Sequence, residues 1–507
     1  MKKRVLALAC ACLLALGAFG GAAFALEKED VTIMFLGSNS SVDLNTDYVA
    51  SLLEENTGFK VQYDQLPSTN ADERLMMEVA AGTSYDLLAL STTQYQMLLG
   101  QGALMPLDDL LEKYPNVKAN IKEVGWAYCT STDGHIYGVP NVDDATFATD
   151  IGYRKDIFDQ YGWTEPNTVD EFYQLLVDIK EQTGLIPLTG NEGFHAEIAS
   201  GFGLSYSITI DENGQAQSYL RDPGMKEYLA FMNQLYTEGL IDVDWPVNTA
   251  DTINQKISSG QAVMTRMSHW SPTPWYNALV ETVPEVEFSN ILPLSDENSE
   301  KVVAISDGVS RVFAIPAGTD PERADLVMQM IDARLSEEIY WLFNDGIEGT
   351  HYTMGEDGIP VPIQPIFEED MNYGSEFQIG RNQFVHPTSW LCRVQKNPVQ
   401  YAVFSDANTK VAAYPLTPDP MKFASYDALE QYSAALNKMC NDYFIAVIAG
   451  TESLDSYDEF VASWEAAGGL ELEAGATEWY AANPDLVDAA MHSVSPYADL
   501  FGYQQGE

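Results

Sequence analysis

The alternation of apolar and polar positions divides the chain into a leader and a folded part. Lys2, Lys3 and Arg4 precede an apolar run from Val5 to Ala18. Small residues then end in Ala23-Phe24-Ala25. A basic start, a short apolar core and an A-x-A tripeptide make a secretory signal with cleavage after Ala25. The core is shorter than the ~20 apolar residues that a membrane span needs. Beyond it, Val31 to Leu36 reads as a strand closed by the polar stretch Gly37 to Ser41. Helical spacing follows through Tyr48, Val49, Leu52 and Leu53 and stops at Gly58. Phe59 to Tyr63 alternates as a second strand, a helix covers about Ala71 to Ala81, and Tyr85 to Leu90 reads as a buried strand before polar Ser91 to Gln94. Strand and helix alternating over short loops argue for a parallel sheet. In such sheets ligands sit beyond the carboxyl ends of the strands, here at Ser38 to Ser41 and Ser91 to Gln94.

The middle of the chain repeats the alternation. Thr168 and Glu171 form a capping box that opens a helix with Phe172, Leu175, Leu176 and Ile179 on one face, ending near Gly184. Asp211-Glu212-Asn213-Gly214 predicts a hairpin with a type I′ turn. It also looks like the start of a calcium loop, but the regular acidic ligands and the closing Glu are missing. A helix runs from Met225 to Gly239, and Asp357-Gly358 marks a second hairpin tip. The last ~80 residues show mostly helical spacing, punctuated by glycines and Pro484.

At ~150 residues per domain, the 507-residue chain holds two or three compact units beyond the leader. Its 46% apolar content is ample for sizeable cores. Twenty-six basic residues face 75 acidic ones, a formal charge of −49. That balance repels nucleic acid and anionic lipid, so neither is an expected partner. The acids are scattered, which reads as a solvated surface. Cys10 and Cys12 leave with the signal; Cys129, Cys392 and Cys440 remain, too few and too far apart for a disulfide framework or a zinc pattern. The six histidines lack metal spacing, and no phosphate-cradling loop or nucleophile elbow is present, so neither a cofactor nor a metal is expected.

Aromatic and polar residues cluster outside the regular helices. Ser268 to Tyr276 contains His269, Trp270 and Trp275 with two prolines; Gln383 to Trp390 has a similar flavour; Asn191 and Glu192 follow a strand-like Pro187-Leu188-Thr189. Aromatic faces bind the C–H faces of sugars, and Asn, Asp, Glu and Arg side chains bind their hydroxyls.

These stretches have a family resemblance. Gly102 to Leu111 (GALMPLDDLL), Asp133 to Pro140 (DGHIYGVP), Tyr153 to Phe158 (YRKDIF), Pro166 to Glu171 (PNTVDE), Glu238 to Asp244 (EGLIDVD), Ser258 to Met264 (SSGQAVM), Asp345 to Tyr352 (DGIEGTHY) and Gly450 to Leu454 (GTESL) stand in one order. In that order the chain resembles the extracellular solute-binding proteins of ABC importers, within the large oligosaccharide-binding branch of Gram-positive bacteria. The resemblance implies an α/β, two-lobed periplasmic-binding-protein-like fold of type II with a multi-segment hinge and a helix-rich C-terminus. The signal would occupy residues 1–25, the first lobe 26–150 with 311–345, and the second lobe 151–310 with 346–507. The hinge would cross near Ala148 to Tyr153, near Val309 to Val312 and after Asn344. The implied ligand contacts are Asn39, Ser40, Ser91 and Thr92 in the first lobe, Asp143 and Asp144 before the hinge, Asn191 and Glu192 in the second lobe, and the aromatic group His269, Trp270, Trp275 and Trp390. The implied activity is non-catalytic capture of an oligosaccharide by a monomer, secreted or at the extracellular face of the cell membrane, that delivers it to the permease subunits of an ABC transporter. A receptor for peptide or another polar solute, and a secreted carbohydrate-active enzyme, are the alternatives. Many Gram-positive members carry a lipobox cysteine after the signal core; this chain has an ordinary A-x-A site instead.

Overall fold

The computed structural model describes residues 31–38, 42–82, 84–146, 149–295, 303–304, 306–356, 358–492 and 495–502. The leader, Asn39, Ser40, Ala148 and Asp357 lie outside the described residues.

Two sheets organise the molecule. The strands in chain order are β1 (Thr32–Gly37), β2 (Lys60–Gln65), β3 (Leu87–Leu90), β4 (Val139–Thr146), β5 (Thr149–Arg154), β6 (Ile186–Thr189), β7 (Ile208–Ile210), β8 (Ala216–Ser218), β9 (Ala262–Ser268), β10 (Phe288–Ile291), β11 (Val303–Ala304) and β12 (Ser306–Ala314). The first sheet has the order β2-β1-β3-β12-β4; the second has the order β10-β5-β9-β6. In the first, β1, β2 and β3 are parallel and β12 runs against β3 and β4. In the second, β6 and β9 are parallel and β5 opposes both β9 and β10. Each sheet is covered by helices whose apolar stripes fill its own core. Phe35, Leu87, Leu90 and Phe313 centre the first core, and Ile151, Leu188, Met264 and Trp245 the second. β4, ending at Thr146, lies in one sheet and β5, starting at Thr149, in the other, so the chain first changes lobes between these two strands.

Local signals in the sequence become local structure. Thr168 Oγ1 accepts from Glu171 N at 3.2 Å and the Glu171 carboxylate accepts from Thr168 N at 3.3 Å, the reciprocal pair that starts helix Val169–Thr183. The Asp211 hairpin forms, with β7 antiparallel to β8, but its turn is not type I′. Gly214 alone has positive φ (76°), and Asp211 Oδ1 accepts from both Asn213 N and Gln215 N at 2.8 Å. The aspartate side chain organises the longer loop, so Asn213 stays in ordinary right-handed space.

Chain distribution between the lobes differs from expectation. β12 already lies in the first sheet from Ser306, so the second connection precedes that residue and is not at Val309 to Val312. Residues after Asn344 do not leave either: Tyr352, Phe367, Met371, Phe377, Val385 and Cys392 are all part of the first core. The chain passes to the second lobe only after helix His386–Val394, where helix Pro398–Val411 packs on β10. The range 346–507 is therefore split between lobes. Apolar side chains from 352–392 complete the first core. Finally, the 22-residue helix Asp427–Ile448 spans both lobes. Leu436, Cys440 and Phe444 sit in the second core, while its first turns lie against helix Thr92–Gly100 of the first.

Candidate functional site

In the second sheet the carboxyl ends of β6, β9 and β10 point the same way, so the segments after them share one edge. After β9 come His269 and Trp270. His269 is buried and its ring meets three aromatic rings edge-on: Trp270 at 4.7 Å, Trp390 at 5.3 Å and Phe404 at 5.3 Å. Burial, with a smaller contribution from Lys396, pushes the His269 imidazole down to about 3, so it packs as a neutral ring. Its Nδ1 is buried with no hydrogen-bond partner among the described residues. Trp270 is 56% exposed, a large indole open to solvent at a strand end. Trp390 is half-buried on helix His386–Val394, one turn from His386 at 5.9 Å. That helix anchors Cys392 in the first core, whereas His269 ends a strand of the second sheet. The aromatic junction therefore joins the lobes.

Trp275, expected beside Trp270, is in the interior. It is 3% exposed, donates through Nε1 to Asn254 Oδ1 at 3.0 Å and packs on Phe288 at 5.7 Å. Helix Pro272–Leu279 turns that face inward, so Trp275 supports the wall and does not line it.

The polar residues divide in the same way. Asn191 is exposed after β6; its Nδ2 donates to Asn248 O at 3.1 Å, and the Glu192 carboxylate accepts from Asn191 N at 3.0 Å. Trp245 Nε1 donates to Glu192 O at 3.0 Å and fixes this loop to the second core. Ser91 caps helix Thr92–Gly100 by accepting from Gln94 N at 3.2 Å, with Thr92 half-buried beside it. Asp143 and Asp144 hold the chain together: Asp143 pairs with Arg381 at 2.5 Å and accepts from Ser310 Oγ at 2.6 Å, and Asp144 pairs with Lys122 at 2.6 Å. Both carboxylates are engaged by cations of the chain itself in this structure.

Residues that pattern reading missed lie on the same edge of the second sheet. Arg266 is on β9, and its Nε lies 3.3 Å from Glu197 Oε1. His195 Nδ1 lies 2.9 Å from Glu197 Oε2 without hydrogen-bond alignment. Burial by itself raises the Glu197 carboxyl, but the His195 contact and the Arg266 charge outweigh it and hold it at about 2. Asp150, at the start of β5, is pushed well above the carboxylate range by burial and then by the Glu197 charge. His195 ends the polar stretch that starts at Asn191, whereas Arg266, Glu197 and Asp150 sit in no motif and only the fold gathers them. A separate cavity of about 680 Å³ opens on the first lobe between Asp108, Glu112, Lys118, Trp126 and Gln383, and none of the expected contacts lines it. Among the described residues, no group of three His, Cys, Asp or Glu side chains is arranged to hold a metal ion. Cys129, Cys392 and Cys440 are buried and free.

The chain matches a known family over more than half of its length. The family model for bacterial extracellular solute-binding proteins matches residues 47–339. The chain belongs to that family. Among curated relatives, the polygalacturonan/rhamnogalacturonan-binding protein YtcQ of Bacillus subtilis is 23% identical over 443 residues, covering 83% of this chain and 85% of YtcQ. A protein of Niallia circulans without an assigned function is 29% identical over 254 residues, covering 50% of this chain and 98% of its own length. Among solved structures, the calcium-free alginate-binding protein AlgQ2 superposes with a TM-score of 0.70 at 20% identity, covering 89% of this chain and 97% of AlgQ2. The N-glycan transport protein NgtS of Streptococcus pneumoniae, solved with Man5GlcNAc, gives 0.59 at 16% identity, covering 90% and 99%. These likenesses establish the two-lobed fold of this solute-binding protein.

Proposed function

We propose that this solute-binding protein captures an oligosaccharide between its lobes and delivers it, chemically unchanged, to the permease subunits of an ABC transporter. The carrying observation is the junction of Trp270, His269 and Trp390. An indole 56% exposed at a strand end loses apolar area to water unless something flat covers it, and a sugar ring is such a cover. The relatives named for polygalacturonan, alginate and N-glycan support the sugar class. Closure is a hinge motion favoured by contacts made to both lobes at once. The protein acts outside the cytoplasm as a monomer, secreted or at the extracellular face of the cell membrane. Titration calorimetry and thermal-shift screening against an oligosaccharide panel test this reading. A ligand bound only by the folded state raises the melting temperature. A panel in which no oligosaccharide binds, while a peptide does, would replace the sugar by the peptide.

A further inference from the structure

At the carboxyl end of β9 a guanidinium is held by one nitrogen. Arg266 pairs across the sheet with Ile151, and Met264, two residues earlier on the same face, is in the second core. Strand alternation thus carries an apolar face outward until, at its end, it presents a cation. The Arg266 side chain is 44% exposed and its Glu197 partner 6%. The contact with Glu197 uses Nε; among the described residues nothing engages the two Nη groups. Those groups carry four N–H donors in a fixed plane. Glu197 is immobilised in turn: it is buried, and it lies against His195 on the side away from Arg266. Trp270 follows four residues after Arg266 at the same strand end.

We propose that Arg266, oriented by Glu197, binds the ligand and selects uncharged sugars over uronates. This rests on the oligosaccharide reading above. The Nη groups donate to neighbouring hydroxyls of a ring lying near Trp270. A hydroxyl pair accepts those bonds without bringing charge. A uronate carboxylate at the same place would share the cation with Glu197, leaving two carboxylates on one guanidinium. Discrimination thus comes from a repulsive element as much as from an attractive one. The overall charge of −49 further opposes the approach of a polyanion. In this respect the chain departs from relatives named for polygalacturonan and alginate.

The test is calorimetry on wild type, Arg266→Met, Arg266→Lys and Glu197→Gln, using a panel of neutral oligosaccharides and oligogalacturonate as the anionic probe. Wild type is expected to bind a neutral member at least ~100-fold more tightly than oligogalacturonate. Arg266→Met should lose ~10- to 100-fold in neutral affinity, and its ligand-free melting temperature should fall, since the buried Glu197 carboxylate loses a cation. Arg266→Lys, which keeps the charge and loses the planar fork, should fall between them and serves if the Met variant fails to fold. Glu197→Gln should narrow the neutral-to-uronate ratio by ~10-fold or more, a change that a purely structural role would not produce. Unchanged neutral affinity in both Arg266 variants overturns the inference while leaving the oligosaccharide reading intact. So does oligogalacturonate binding to wild type as tightly as any neutral sugar. Wild type that binds no oligosaccharide overturns both.

Discussion

Trp270 and Trp275 lie five residues apart and face opposite environments. Trp270→Ala removes an indole that is 56% exposed, so we expect weaker sugar binding, by about 1–3 kcal/mol, with no loss of stability. Calorimetry read beside a melting curve checks both halves. Trp275→Ala removes one that is 3% exposed, hydrogen-bonded to Asn254 and packed on Phe288. There the expected loss is stability, about 3–5 kcal/mol in urea denaturation. Sequence could not separate the two, because composition marks an aromatic segment but not the direction in which each ring leaves the backbone. A third residue tests burial by titration. Asp345 is fully buried; burial raises its carboxyl to about 7 despite the opposing effects of Ser389 and Arg393. Below about pH 4 both folded and unfolded chains hold this proton. As pH rises from there, the unfolded chain releases it while the folded one keeps it, so this contribution to stability declines until pH 7 and is then constant. Asp345→Asn should flatten that decline and raise stability at pH 8 by roughly 1–3 kcal/mol, read from denaturation curves at pH 5 and pH 8.

Among the elements, the contact between helix Thr92–Gly100 and helix Asp427–Ile448 joins the lobes on one side. It depends on Gly100: a Cβ there would stand 2.8 Å from the backbone oxygen of Glu430. Backbone cannot yield as a flexible side chain does. Gly100→Ala should therefore destabilise by about 1–2 kcal/mol despite the better helix propensity of alanine, visible as a lower urea midpoint. Beside that contact the Glu430 carboxylate accepts from Ser131 at 3.2 Å and from Ser425 at 3.3 Å. What was readable at this scale was what a few neighbouring residues decide. The Thr168 capping box and the strands around Phe35 and Leu88 follow from local spacing. The Asp211 hairpin was readable as a hairpin but not in its turn type, because the Asp211 side chain competed with the backbone for the turn amides. The return of Phe367 and Phe377 to the first core was not readable at all. It is decided by packing against partners some three hundred residues away, such as Tyr63, whose ring meets Phe377 at 5.2 Å.

For the whole molecule, two lobes were legible from order and resemblance, whereas the Arg266–Glu197 pair required the fold to bring a strand and a short helix together. The global charge was legible at once, and its consequence differs between surface and groove. With 75 acids against 26 bases, most carboxylates repel one another across the solvated surface. The cations near the lobe connection are already matched, Lys122 by Asp144 and Arg381 by Asp143. Adding salt shortens the screening length from about 30 Å at 0.01 M to about 8 Å at 0.15 M. Repulsion between distant carboxylates is then reduced, while close, partly buried pairs change little. The melting temperature should therefore rise by several degrees over that range. The affinity for an uncharged oligosaccharide should change by less than about twofold, because stacking on Trp270 and donation from Arg266 involve no net charge on the ligand. A melting temperature that rises together with a steep, salt-dependent loss of affinity would mean that the groove itself binds through charge, and the neutral ligand would have to be abandoned.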